Sequence, residues 1–176
     1  MLSKKEEAKK CFKELMQEGE QLLWAEKPVL VPHLAIVAVV QVAGILWLLM
    51  DIEFILDSTH FSLFKFIFMI FHLTPFWSSC LFSWNSYERF QYIIYAYSEK
   101  SIFIRSGMGA NYNVINFDEI ILLESRANII DDKYHVGSII IHSGKEKTGV
   151  SKKINVLHSI PNPVETLSIL RKMSKI

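Results

Sequence analysis

The sequence is poor in what builds stapled, catalytic or strongly charged proteins. Two cysteines in 176 residues, Cys11 and Cys80, exclude a disulfide framework. The six histidines (33, 60, 72, 135, 142 and 158) are scattered, and no His or Cys pair has structural-zinc spacing. No metal site is expected. There is no G-x-S-x-G, no H-E-x-x-H and no glycine-rich phosphate loop of the P-loop or Rossmann type, so the chain reads as a non-enzyme without a cofactor. A formal net charge of +1 for the chain, and of +3 over residues 85–176, is too small a footprint for nucleic-acid binding.

Charge is also missing locally. Residues 1–27 carry six Lys and six Glu, whereas residues 28–84 carry only Lys65 against Asp51, Glu53 and Asp57. Residues 85–176 return to twelve basic and nine acidic groups. This split excludes both a single soluble domain and a disordered chain. It predicts a transmembrane helical hairpin over 28–84 between two polar segments, 1–27 and 85–176.

The first span runs from Val29 to Met50 without a formal charge. At about 1.5 Å per residue it reaches roughly 33 Å, enough to cross a hydrocarbon core of about 30 Å. The second covers Phe61 to Trp84, and the stretch between, DIEFILDSTH, reads as the connecting loop. A signal peptide fits poorly, because a long polar segment precedes the first span and no A-x-A site follows it. Lys9, Lys10, Lys13 and Lys27 precede the hairpin, Arg89, Lys100 and Arg105 follow it, and the loop has no Lys or Arg. Both termini are therefore expected in the cytoplasm. Within the spans, Lys65 can snorkel and Pro75 should kink the second helix. Gln41 and His72 are the intramembrane polar candidates.

In the N-terminal segment Ser3-x-x-Glu6 has capping-box spacing. Ala8, Phe12, Leu15, Gly19, Leu22 and Leu23 then recur at helical spacing. The expectation is an amphipathic helix that packs on the C-terminal domain, the alternative being that it lies on the bilayer surface, with Gly19 ending it early. From Tyr87 the pattern turns β-like: Tyr87–Tyr97, Ile102–Arg105, Asn113–Phe117, Ile120–Ser125, Ser138–His142 and Ile154–His158 are strand candidates. Turns fall at 98–100, at Gly107-Met108-Gly109 and at the solvated acidic turn Asp131-Asp132. Short strands at this spacing read as an antiparallel sandwich or barrel. A closing helix follows, with Asn162 as N-cap, Pro163 as its first residue and Glu165 as the reciprocal cap. The fold class is thus an α+β membrane protein. Lys145, Lys147, Lys152 and Lys153 form the single basic cluster, a candidate contact for anionic headgroups or a protein partner.

Ordered local signatures support a family resemblance. Gly19-Glu20, Leu23-Trp24 and Lys27-Pro28 precede the first span, and Tyr95-Ala96-Tyr97-Ser98-Glu99-Lys100 opens the first hairpin, followed by Ile102 to Gly107. Phe117-Asp118-Glu119-Ile120, Gly137-Ser138-Ile139 and Ile160-Pro161-Asn162-Pro163 follow in order. Together, over roughly residues 18–174, the chain resembles the membrane-anchored bacterial pleckstrin-homology-like family. It departs from the family at Ser101, where Arg is usual, and at Tyr134-His135, where Gly is frequent. The resemblance implies a PH-like β-sandwich or barrel closed by a C-terminal helix, held at the inner face of a bacterial cytoplasmic membrane. It also implies a non-catalytic binding or scaffolding role with a protein partner or a homo-oligomer. The short loop at 98–100 does not support phosphoinositide recognition. The alternative is a subunit of a membrane transport or secretion assembly in which the hairpin does the work.

Overall fold

The computed structural model describes residues 3–56, 63–109, 111–144 and 153–175. The chain forms two compact units, Met1–His33 with Arg89–Ile176, and Leu34–Glu88.

The first unit begins with α1 (Lys4–Phe12), opened by a reciprocal Ser3/Glu6 capping box. Its apolar stripe is short. Ala8 and Phe12 are buried, and beyond Gly19, at φ 81°, the chain turns extended. The helix expected along the N-terminal segment therefore gives way to β1 (Trp24–Glu26), which pairs antiparallel with β2 (Ile94–Tyr97). Trp24 lies directly opposite Tyr97 and stacks on it at 5.3 Å. Cross-strand aromatic pairing of this kind outweighs a weak helical pattern interrupted by glycine.

β3 (Ser101–Arg105) and β4 (Tyr112–Asn116) complete a sheet of order β1-β2-β3-β4. The Ser98 hydroxyl ties the β2–β3 turn by accepting from the N–H groups of Lys100 and Ser101, both at 3.1 Å. The same hydroxyl donates to Glu20. After a 3-10 turn at Phe117–Glu119 come β5 (Ile120–Arg126), β6 (Val136–Ser143) and β7 (Lys153–Pro161), a second antiparallel sheet of order β5-β6-β7.

Alternation along β2 and β3 determines how this unit packs. Tyr95, Tyr97, Ile102 and Ile104 face a core shared with Leu123, Ile139, Ile141, Leu157 and Ile160 of the second sheet. Leu167 and Leu170, from the helix Pro163–Ser174, close that core. Ile94, Ala96 and Phe103 face the other way, onto Ala8, Phe12, Leu22 and Ala25. Both faces of the central strands are covered.

In the second unit the first apolar helix follows α2 (Leu30–His33) and runs from Ala35 to Leu56 (α3). Asp51 to Leu56, expected in the connecting loop, is thus helical, because IEFIL contains no breaker. The second apolar stretch is two helices, α4 (Leu63–His72) and α5 (Thr74–Gln91). Tyr87–Gln91, expected as strand, extends α5; propagation of an established helix overrides the β preference of its aromatic residues. By length and composition both stretches suffice to cross a bilayer, with mean hydropathy 2.3 for Ala35–Glu53 and 1.5 for Lys65–Gln91.

The break lies where proline was expected to act. Pro75 has no N–H to offer the Phe71 carbonyl, and the Thr74 hydroxyl takes that carbonyl at 2.5 Å. The neighbouring His72 carbonyl receives the Trp47 indole N–H at 2.9 Å. Gly44 marks a close approach of α3 to α5, since a Cβ there would stand 2.1 Å from the Ser79 hydroxyl oxygen.

Two further elements shape the surface of the first unit. Residues 131–132, read as a solvated turn, belong to α6 (Ile129–Lys133), where buried Asp131 completes a capping box with Asn128. The last helix, α7 (Pro163–Ser174), starts at Pro163 as expected, but Asn162 is left-handed (φ 49°) and provides no side-chain cap. Asparagine tolerates this conformation, which turns the chain sharply out of β7. Phe12, the last residue of α1, is wholly buried against Phe103, ring centroids 5.4 Å apart. Phe12→Ala should therefore cost about 3–5 kcal/mol, read as a lowered chemical-denaturation midpoint of the first unit in the detergent-solubilised chain.

Candidate functional site

The first unit has an open cleft of about 590 Å³ where α6, the β6 start and the α7 start converge. Its position follows from local sequence. Asn128 caps α6, His135 (φ 53°) reverses the chain into β6, and Gly137 lets β6 pass against α7. A Cβ on Gly137 would lie 2.9 Å from Pro163 Cγ and 3.1 Å from the Arg126 carbonyl oxygen. Ala127, Val136, Pro163 and Val164 give the cleft its apolar lining, and Asp132 and Glu165 put two carboxylates on it. Ile129 on α6 is 89% exposed and Val164 is 74% exposed. An apolar surface flanked by carboxylates suits a polypeptide segment carrying a basic side chain.

Beside it, β7 carries a bulge. Gly137 pairs with Ile160 and Ile139 with Leu157, and Ser159 is left-handed at φ 50°. The backbone groups freed by the bulge are used: the Ser159 carbonyl accepts from Val29 N–H at 2.8 Å, and His158 N–H donates to the Tyr95 phenol oxygen at 3.1 Å. Burial pushes the Tyr95 phenol up to about 12. His33 lies outside the apolar helix that starts at Ala35, with its ring 6.1 Å from that of His158 and 5.4 Å from Phe90. Partial burial lowers the pKa of His33, and the neighbouring His158 lowers it further. His158 is lowered by desolvation and drawn back by Asp131. The two strand-ending histidines, 142 and 158, do not meet: His142 pairs with Ile154, near the opposite end of β7 from the bulge.

The residues singled out from sequence fall in separate places. Lys145, Lys147 and Lys152 lie outside the described residues. Lys153 opens β7, and its ammonium donates to Asn113 Oδ1 at 2.9 Å on the β4 side. Gln41 and His72 are not brought together. Gln41 Oε1 accepts from the Ser83 hydroxyl at 2.8 Å, and its amide lies 3.7 Å from Cys80 Sγ. His72 Nδ1 is 2.5 Å from Asp51 Oδ1. Asp51 was hidden by its assignment to the loop. Its position four residues after Trp47, on the same helical face, was the available signal.

Among the described residues no group of three or more His, Cys, Asp or Glu is placed to hold a metal ion. Cys11 is 3.3 Å from an Arg105 guanidinium nitrogen, with the Tyr92 and Tyr112 rings beside that guanidinium. These side chains join α1 to the edge of the sheet. No family model, no curated protein and no solved structure matches this chain.

The histidine pair gives a pH dependence. Both folded-state pKa values lie below the ordinary imidazole value, so the unfolded chain binds more protons. Stability of the first unit should therefore fall as pH drops through about 6.5 and level off below the folded values. The exposed edge of His158 keeps the effect modest. His33→Phe, which preserves a ring against Phe90, should flatten the decline in denaturation midpoint against pH.

Proposed function

We propose that this chain is a membrane-anchored, non-catalytic binding or scaffolding module. In this reading a pleckstrin-homology-like domain is held at the cytoplasmic face of a bacterial membrane, where it engages a protein partner or another copy of itself. One observation carries the reading: a four-stranded and a three-stranded antiparallel sheet enclose one core, closed by one C-terminal helix. The apolar hairpin enters this domain between β1 and β2. The local signatures in the sequence support this reading, and the basic residues flanking the hairpin favour cytoplasmic termini. The cleft at the start of α7 is the proposed docking surface, and fold alone assigns no job to it.

A second reading, a subunit of a transport or secretion assembly, draws on the buried Asp51 carboxyl beside His72 within the hairpin. The two differ in what they require of that pair. Replacing both residues, Asp51→Leu with His72→Leu, removes the pair without leaving one charge buried alone. That change leaves partner binding intact in the first reading and abolishes activity in the second.

Purified in mild detergent from native membranes and sized, the chain should emerge as an oligomer or in stoichiometric complex with another protein. Val164→Asp, at an exposed cleft position, should lower the recovered partner or oligomer at least about tenfold, a loss of about 1.4 kcal/mol. A lone monomer, unchanged by the substitution, would overturn the proposal.

A further inference from the structure

The hairpin contains a site that an anchor does not need. Asp51 Oδ1 and His72 Nδ1 are 2.5 Å apart, a separation that requires a proton between them. The Asp51 side chain is 4% exposed, and its other oxygen, Oδ2, is buried without a hydrogen-bond partner among the described residues. The His72 side chain is 39% exposed. The imidazole is held from two further sides, with the Trp47 and Phe68 ring centroids each 5.2 Å from its own. Trp47 is itself fixed, because its indole N–H donates to the carbonyl of His72 beside the helix break.

We infer that Asp51 and His72 form an intramembrane proton-binding site, loaded from the exposed edge of His72 and closed at Asp51. The argument is one of net charge in a medium that solvates charge poorly. With one proton on the O–N axis and one on Nε2 the pair is neutral overall, whichever of the two axial atoms carries the first. Removing one proton leaves an anion and adding a third leaves a cation, each without a counter-charge in the pair. The two groups therefore exchange protons as one unit, not as two independent groups. Imidazole provides the route. In the anionic pair, with its one proton on Nδ1, a proton arriving at Nε2 forms the Nε2–H bond of an imidazolium. The Nδ1–H bond then breaks as that proton passes to Asp51 Oδ1, which leaves the pair neutral. The flanking aromatic faces stabilise the imidazolium stage. Among the described residues the other titratable side chains of the paired helices are Glu53 on α3, Lys65 on α4, and Cys80, Tyr87, Glu88 and Arg89 on α5. Cys80 lies in the separate Gln41 layer, and Tyr87, Glu88 and Arg89 lie at the far end of α5 from His72. The inference does not depend on the binding-module reading, and partner recovery and proton binding are measured separately.

The test is infrared difference spectroscopy of the full chain in phosphatidylcholine vesicles, stepped between about pH 4 and 9. One sample carries ¹⁵N-labelled histidine. In the wild-type chain a carboxyl band and a label-shifted imidazole band should change together at the same pH. Both should vanish in Asp51→Asn and in His72→Gln, and both should persist in Glu53→Gln. Separate midpoints in the wild-type chain would overturn the proposal without reference to any variant. So would a carboxyl band that survives unchanged in His72→Gln, or the absence of any band that Asp51→Asn removes.

Discussion

The first unit depends on covering both faces of its four-stranded sheet. Tyr95, Tyr97, Ile102 and Ile104 send their side chains to one face and Ile94, Ala96 and Phe103 to the other. A sheet this apolar on both sides is not stable in water with either face bare. The three-stranded sheet and α7 cover one face, and α1 with the segment to Ala25 covers the other. The covering elements come from opposite ends of the sequence, so the domain is discontinuous. The chain leaves the sheet at Glu26 and returns opposite it at Tyr95, with the apolar hairpin in between. Lys4–Glu26 and Lys27–Glu7 ion pairs lie along the same seam, but exposed pairs of this kind contribute little beside the buried rings.

The hairpin follows a different rule. Its outward residues, among them Ile36, Val39, Leu46, Met50 and Phe71, are exposed and apolar, so hydrophobic burial between its helices does not set their register. Polar layers and one close approach do. Ser83 and Cys80 meet Gln41, Ser79 fits against Gly44, and His72 meets Asp51. In a low-dielectric surrounding, shifting these partners by one residue would strand a hydrogen bond or a charge. The helix break serves the same arrangement, because the His72 carbonyl beside it accepts from Trp47, which sets the ring against which His72 packs.

Much of this was legible in the sequence, for reasons that can be named. The charge gap between residues 28 and 84 marked the hairpin, Pro75 marked its break, and Ser3 with Glu6 marked the α1 start. The strands from β3 onward were found because their alternation and turn residues agree locally. What was missed had local signals that misled. Trp24–Glu26 is too short to show alternation and sits in a helix-like stripe, while Tyr87–Gln91 is aromatic yet continues a helix already formed. Asn162 has an N-cap's identity and neighbours, but it is left-handed and makes no side-chain cap. On the candidate site, His72 and Gln41 were visible as polar residues in apolar runs. Their true partners were not, because which residues face one another across a hairpin depends on where the helices end.

By itself the sequence determined that the chain has two chemically unlike parts, since hydropathy and charge are summed along the chain and need no partner to be read. It determined the closing helix and most strands in the same way, through periodicity. Only the tertiary structure decided that β1 belongs to the sheet downstream of the hairpin, that α6 and α7 leave an acidic-edged apolar cleft, and that Asp51 lies against His72. Each of these joins residues distant in sequence. Long-range pairing is chosen by the burial and hydrogen bonding of the whole assembly, a quantity that no local window contains.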